Sequence, residues 1–254
     1  KWSLEAKQKY EDTQDKQYLN DISKYDNIQM SRKIALNSAY GAIGNQYFRY
    51  YDERMAAAIT TAGQLAIRWI ENDVNRYLNR ILQTDNKDYV IASDTDSIYV
   101  RFEELVSKVQ PKNPVDFLDK VASEKFEPYI TKCYEELAKY VRAYDQKMVM
   151  AREVIADKGI WTAKKRYILN VHDSEGVRYA EPQIKVMGIE AVKSSTPAPC
   201  REMIKSALKI IINEDEKTLN TFIQSFRENF MKLSPESIAY PRSCNNMKVY
   251  YSSS

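Results

Sequence analysis

The sequence holds one histidine, His172, three cysteines and six glycines in 254 residues. A single imidazole excludes a multi-histidine zinc site and argues against a Ser-His-Asp triad. Cys133, Cys200 and Cys244 are odd in number and widely spaced, with no C-x-x-C pair, so a reducing compartment is expected and a disulfide framework is not. No glycine-rich loop ends in Gly-Lys-Ser or Gly-Lys-Thr, which disfavours a P-loop phosphotransferase. The longest apolar runs, such as 210–212, are far too short to cross a membrane, and the polar segment after Lys1 lacks the apolar stretch of a signal peptide. An excess of charge of one sign is missing as well: 38 Lys and Arg against 35 Asp and Glu leave +3. Any nucleic-acid surface must then be a local patch. Metal chemistry has only carboxylates to rest on.

What is present reads as an α+β chain with an antiparallel sheet, long enough for one domain or two. Residues 1 to about 45 have helical character, with a turn expected near Lys24-Tyr25-Asp26-Asn27 and a dense second half in which Ile28, Arg32, Leu36 and Tyr40 recur every four residues. Residues 54–81 predict a long helix buried along Ala58, Ala62, Leu65 and Trp69. The period then changes to two: 88–93 and 97–102 predict strands around an Asp94-Thr95-Asp96 turn. A helix is expected over 115–144, with Pro128 as an interruption. Strands follow at 147–156, 166–171 and 177–187, the last two joined by a turn at Asp173-Ser174-Glu175-Gly176, and helix returns from about 199 to 233.

The sharpest chemical feature is Asp94-Thr95-Asp96-Ser97, with apolar residues on both sides. Two carboxylates two residues apart at a hairpin tip can point the same way. Hard divalent ions such as Mg2+ take oxygen ligands and keep several waters, so such a pair can hold a metal once substrate phosphates or a third carboxylate join it. Phosphoryl or nucleotidyl transfer is the matching reaction class. Asp is equally an ordinary turn residue, and that reading stays open. Glu153, in the strand candidate 149–155, is a candidate third oxygen ligand or a solvated strand residue.

Lys33, Asn37 and Tyr40 stand at i, i+4 and i+7, on one helical face. Lysine can neutralise a triphosphate, asparagine can hydrogen-bond, and tyrosine can pack on a base or sugar; Gly41 beside it allows close approach. The same face would also serve as an ordinary exposed surface. Lys164-Lys165-Arg166-Tyr167 after Trp161 combines positive charge with aromatics, as suits a phosphate backbone, and Arg152 and Lys158 are candidates to extend it; a solvated charge run has the same composition.

These segments together resemble family B DNA polymerases. KIALNSAYG, Lys33 to Gly41, is similar to the family's fingers-helix motif, Asp94-Thr95-Asp96-Ser97 to its palm carboxylate motif, and Thr162-Ala163-Lys164-Lys165-Arg166-Tyr167 to its lysine-tyrosine motif. The motifs occur in the family's order, and NQYFRYYD, KVMGIE and KSSTP resemble in particular the replicative enzymes of T4-like bacteriophages. The resemblance implies a palm with an antiparallel sheet, fingers helices over 1–50, palm over 51–194, and over 195–254 the start of a helical thumb that stops short. It implies template-directed transfer of a deoxynucleoside monophosphate to a primer 3′-hydroxyl. Asp94 and Asp96 would be catalytic metal ligands for two Mg2+ ions, with Glu153 as accessory carboxylate. Lys33, Asn37, Tyr40 and Thr95 would face the incoming deoxynucleoside triphosphate, and Lys164, Lys165, Arg166 and Tyr167 the primer-template DNA.

The match also departs from the family. Ala92-Ser93 replaces the usual residue-glycine pair before the carboxylates, and Ala151 stands where an aspartate is usual two residues ahead of Glu153. No counterpart of the family's first palm carboxylate precedes Lys33. The chain is therefore expected to be a fragment, or one half of a split polymerase, whose partner is the amino-terminal half in cis or in trans. A sliding clamp would engage a segment beyond its carboxy terminus, no membrane is involved, and the cytoplasm of an infected bacterium would be its location. The alternative is a non-catalytic DNA-binding or assembly module that retained the fold.

Overall fold

The computed structural model describes residues 2–240. The expected α+β class holds, with two small antiparallel sheets among helices. In order come α1 (Trp2–Thr13), α2 (Gln17–Ile43), α3 (Glu53–Leu82), the hairpin β1 (Val90–Asp94) and β2 (Ser97–Val100), α4 (Glu103–Val109), α5 (Pro114–Val121) and α6 (Glu127–Tyr140). A three-stranded meander follows, β3 (Val154–Ala163), β4 (Arg166–Ser174) and β5 (Val177–Met187), and then α7 (Ala198–Asn213), α8 (Glu216–Phe230) and the short α9 (Pro235–Ile238). Two compact units result. Residues up to Ile155 with His172–Ala180 form one, and Ala156–Val171 with those from Glu181 onward form the other. This division does not follow limits at residues 50 and 194, and the last expected segment, 195–254, runs past the described residues, as does Cys244. Among the described residues no helix is long and apolar enough to cross a membrane.

In the first unit the core lies between α3 and α6. Ala66, Ile70, Val74, Leu78 and Leu82 recur every four residues along α3 and are buried with Ile130, Cys133, Tyr134 and Leu137 of α6. The expected stripe through Ala58, Ala62, Leu65 and Trp69 is wrong in phase and in length: Ala58 and Ala62 are exposed, and only the second half of α3 is covered. The helix break expected at 24–27 lies instead at 14–16, where Gln14 takes φ +56° and Asp15 accepts from the Gln17 amide at 3.0 Å. Asp26, which looks like a turn residue, links the two helices by accepting from Ser3 and, at 3.1 Å, from Lys7.

Pro128 does not end its helix. A π-helical turn over Ala122–Phe126 leads into α6, and Pro128 falls in the first turn of α6, where a missing N–H is least costly. Phe126, in the widened turn, packs edge-on against Phe102 and Tyr77. Cys133 is buried beneath this layer; burial first, and the Asp73 carboxylate second, push its thiol up to about 11, so it is held as an unreactive thiol. Cys200 is likewise a free cysteine.

Two asparagines one turn apart on α3 fix where the hairpin begins. Asn75 accepts from the amides of Tyr89 at 2.8 Å and Val90 at 3.0 Å and donates to Asp88 at 2.8 Å. Asn79 donates to the Lys87 carbonyl at 2.7 Å and accepts from the Lys87 amide at 2.9 Å. The Tyr89 ring is fully buried below, its hydroxyl shared between Glu104 and Thr84. Asn75→Ala strands the Tyr89 amide and leaves the Val90 amide only Asp88, at 3.2 Å, so it should cost about 1–3 kcal/mol in urea unfolding; a loss under about 0.5 kcal/mol would contradict this role.

In the second unit Ile204, Leu208 and Ile212 of α7 cover Ile160, Ile168, Ile184 and Val186 of the sheet, with Ala191 buried among them. Lys158 donates at 2.9 Å to the Ile212 carbonyl in the last turn of α7. It therefore caps a helix, and the expectation that it extends the basic patch is not met.

Candidate active site

The carboxylates flank and occupy a two-residue loop: Asp94 ends β1 and Asp96 lies on the loop with Thr95. β1 and β2 pair Asp94 with Ser97, Ser93 with Ile98, Ala92 with Tyr99 and Val90 with Val100, so Ile91 is an extra, bulged residue. Ile98 and Val100 pack against the core of the first unit. By strand alternation Asp94 and Ser97 lie on the opposite face. At the tip Thr95 has φ +58°, and the Asp96 amide donates to the Asp94 carbonyl at 2.7 Å, closing a three-residue γ-turn. A β-branched residue with positive φ is strained, by roughly 1–3 kcal/mol. The turn is held by side chains: Ser97 Oγ donates to the Asp94 carbonyl at 3.1 Å, and Thr95 Oγ1 donates to Asp94 Oδ1 at 3.0 Å. Asp94 is half-buried, whereas Thr95 and Asp96 are exposed.

Sequence reasoning missed Tyr134. Its ring is buried on α6, and its hydroxyl pKa is raised, first by burial and second by the negative charge of Asp96. Tyr134 belongs to the buried cluster of the first unit and feels that charge from within it. Nothing in its spacing distinguishes it from the other apolar positions of α6.

Glu153 does not lie in a strand. β3 starts at Val154, and the segment expected to pair from residue 147 uses other partners: the Arg152 amide donates to Glu127 at 2.9 Å, and the Glu153 carbonyl accepts from the Glu175 amide at 2.6 Å. Arg152 does not join a basic patch either. Its guanidinium pairs with Asp173 and with Asp119 at 2.6 Å, while Arg178 pairs with Asp173 at 3.1 Å and Asp116 at 2.5 Å. Asp173 is almost completely buried at the centre of this network and also accepts from the Gly176 amide at 3.0 Å.

Among the described residues no group of three or more His, Cys, Asp or Glu is arranged to hold a metal ion. Asp94 and Asp96 thus stand as a pair of hard oxygen donors. Such a set fits an ion that retains waters and takes phosphate oxygens, but it does not complete a two-ion site.

Lys33, Asn37 and Tyr40 fall on one uninterrupted helix, α2, which buries none of its residues. All three side chains are exposed, and a Cβ on Gly41 would meet nothing within 4 Å. In the second unit Lys164 and Lys165 form the exposed two-residue turn between β3 and β4. Arg166 is partly buried and pairs with Glu190, and Tyr167 is buried, its ring 6.2 Å from that of Trp161.

Comparison with known proteins adds identity to this geometry. A model of DNA polymerase family B matches residues 4–243. The chain is 44% identical over 236 residues to the DNA-directed DNA polymerase of Escherichia phage RB69, covering 87% of this chain and 26% of that protein. It is 39% identical over 236 residues to the DNA-directed DNA polymerase of Enterobacteria phage T4, with the same coverage, and 26% identical over 217 residues to a DNA polymerase of Pyramimonas orientalis virus. The chain thus spans about a quarter of the length of its two phage relatives.

Proposed function

Because the chain belongs to DNA polymerase family B, we propose that it supplies the nucleotide-facing helix, the carboxylate tip and the primer-template turn of a template-directed DNA polymerase. The observation that carries the reading is the strained Asp94-Thr95-Asp96 turn, which sets one carboxylate at the end of β1 and a second on the two-residue tip, in a chain of this family. In this reading residues 1–50 belong to the fingers, 51–194 to the palm and 195–254 to the start of the thumb.

The primer 3′-oxygen bonds to the α-phosphorus of a deoxynucleoside triphosphate, the bond from that phosphorus to the bridging oxygen breaks, the hydroxyl proton is lost and pyrophosphate leaves. Two Mg2+ ions, when bound, supply Lewis-acid stabilisation of the attacking and leaving oxygens. Asp94 and Asp96 would hold them together with a carboxylate from outside this chain, and Glu153 would be an accessory group. Lys33 neutralises triphosphate charge, Asn37 and Thr95 bond polar groups of the nucleotide, and Tyr40 packs on the nascent pair. Lys164 and Lys165 meet the phosphate backbone and position the duplex without reading its sequence, with Arg166 and Tyr167 beside them.

The partner is a polypeptide equivalent to the amino-terminal part of the relatives, in cis or in trans, and a sliding clamp would bind further along a longer chain. The setting is the cytoplasm of an infected bacterium. Primer extension with Mg2+ and four deoxynucleotides tests the core of this reading. The chain alone should be inactive, and adding an amino-terminal polypeptide of a related polymerase should restore synthesis. A stable complex of the two without synthesis would overturn it in favour of a non-catalytic DNA-binding or assembly module, a reading that the Ala92-Ser93 and Ala151 departures leave open.

A further inference from the structure

Resting on the reading that the Lys164-Lys165 turn meets the primer-template backbone, we propose that Gly188, Glu190 and Arg166 form a clamp that holds this turn in place. Arg166 and Glu190 are then positioning residues and not DNA ligands. The turn needs such support, because Lys165 takes φ +60°, a left-handed conformation that a lysine rarely adopts unaided.

The support comes from the segment after β5. Gly188 has φ +66°, and a Cβ there would stand less than 3.0 Å from the Lys165 carbonyl oxygen and 3.2 Å from Arg166 Cγ. Only a residue without a side chain lets the two backbones meet in this way. Arg166 closes the contact from its own side. Its Nε donates to the Gly188 carbonyl at 3.1 Å, and its guanidinium pairs with Glu190. Glu190 also takes Lys193 at 3.1 Å, so its charge is shared within the loop. Of the four residues in the basic tract, two are therefore turned inward, Arg166 into the clamp and Tyr167 into the core of the unit, and the exposed Lys164 and Lys165 are what the arrangement presents.

The distinguishing variant is Glu190→Gln, which makes the chain more positive by one charge. Electrostatics alone predicts tighter DNA binding from it. The clamp predicts weaker binding, because the lysine turn loses its brace. We would measure binding of the 254-residue chain to a primer-template by fluorescence anisotropy across a salt series. Glu190→Gln and Arg166→Gln should each weaken binding about 3- to 10-fold, and the double variant should be no worse than either single one. Glu190→Gln should also flatten the dependence on salt, although it removes no cation. Gly188→Ala should weaken binding at least as much; should it fail to fold, Glu190→Gln, whose ion pair is largely exposed, still decides. Glu190→Gln binding as tightly as the parent or more tightly, with Arg166→Gln lowering the salt slope by about one, would make Arg166 a phosphate ligand and overturn the clamp. Unchanged affinity and slope in Lys164→Ala/Lys165→Ala would instead remove the DNA reading of the turn, and the clamp's purpose with it.

Discussion

Asp96→Asn in the completed polymerase is expected to reduce primer extension roughly a thousandfold, about 4 kcal/mol of transition-state stabilisation, while leaving the fold intact. The amide keeps the size of the side chain but loses the charge and one hard oxygen donor, and the described residues gather no third carboxylate to take its place. Stability should change by less than about 0.5 kcal/mol, because Asp96 is exposed at a loop tip. The variant carries its own internal control. The Asp96 charge is the second cause, after burial, of the raised pKa of Tyr134, so its removal should lower that pKa, readable in the assigned NMR signal of a ring-labelled Tyr134 in an alkaline titration. Extension within a few-fold of the parent, with the Tyr134 shift present, would show that Asp96 shapes the local field without serving the reaction.

The largest loss of stability should come from Asp173→Ala. Asp173 is 1% exposed and receives Arg152, Arg178 and the Gly176 amide. Its removal leaves the Arg152 guanidinium, itself only 14% exposed, with Asp119 alone. Breaking a buried pair from one side costs about 3–5 kcal/mol, because an uncompensated charge remains inside. For a chain of this size that is a fall in Tm of roughly 6–20 °C. Urea unfolding followed by tryptophan fluorescence measures it, and a loss under 1 kcal/mol would mean that water reaches Arg152 and replaces the carboxylate. The same network anchors the residue before Glu153, so the variant should also lower extension in the completed enzyme.

The elements that carry the candidate site residues were easier to read from the sequence than the packing around them. Asp94 and Asp96 announce themselves because a turn between two apolar strands has few reasons to carry two carboxylates, although β1 runs on through Asp94 and leaves a loop of two residues where three were expected. Lys33, Asn37 and Tyr40 needed only helical periodicity, and α2 runs through all three without a break. Where long-range partners decide, the sequence misleads. Asp26 has turn chemistry but binds Ser3 and Lys7 on a neighbouring helix, so the break falls twelve residues earlier at Gln14. α3 carries apolar residues on more than one face, and only packing against α6 selects Ile70, Val74 and Leu78 over Ala58 and Ala62. Arg152 and Lys158 look like surface cations, yet one is taken by buried and half-buried carboxylates and the other by the end of α7. Pro128 is tolerated because it follows a π-helical turn and stands in the first turn of α6, where its missing N–H is least costly.

The bulge at Ile91 bears on changes of chain length. Five residues of β1 face four of β2, yet the pairing is pinned at the tip by Asp94 with Ser97 and at the base by Val90 with Val100. Excising Ile91 would leave four residues against four, with both anchors and both carboxylates on their present faces. What would change is the local twist, which a bulge increases. The hairpin thus holds one residue of slack that sets the angle at which the carboxylates are offered, and excision of Ile91 should be tolerated by the fold where an insertion beside it is not.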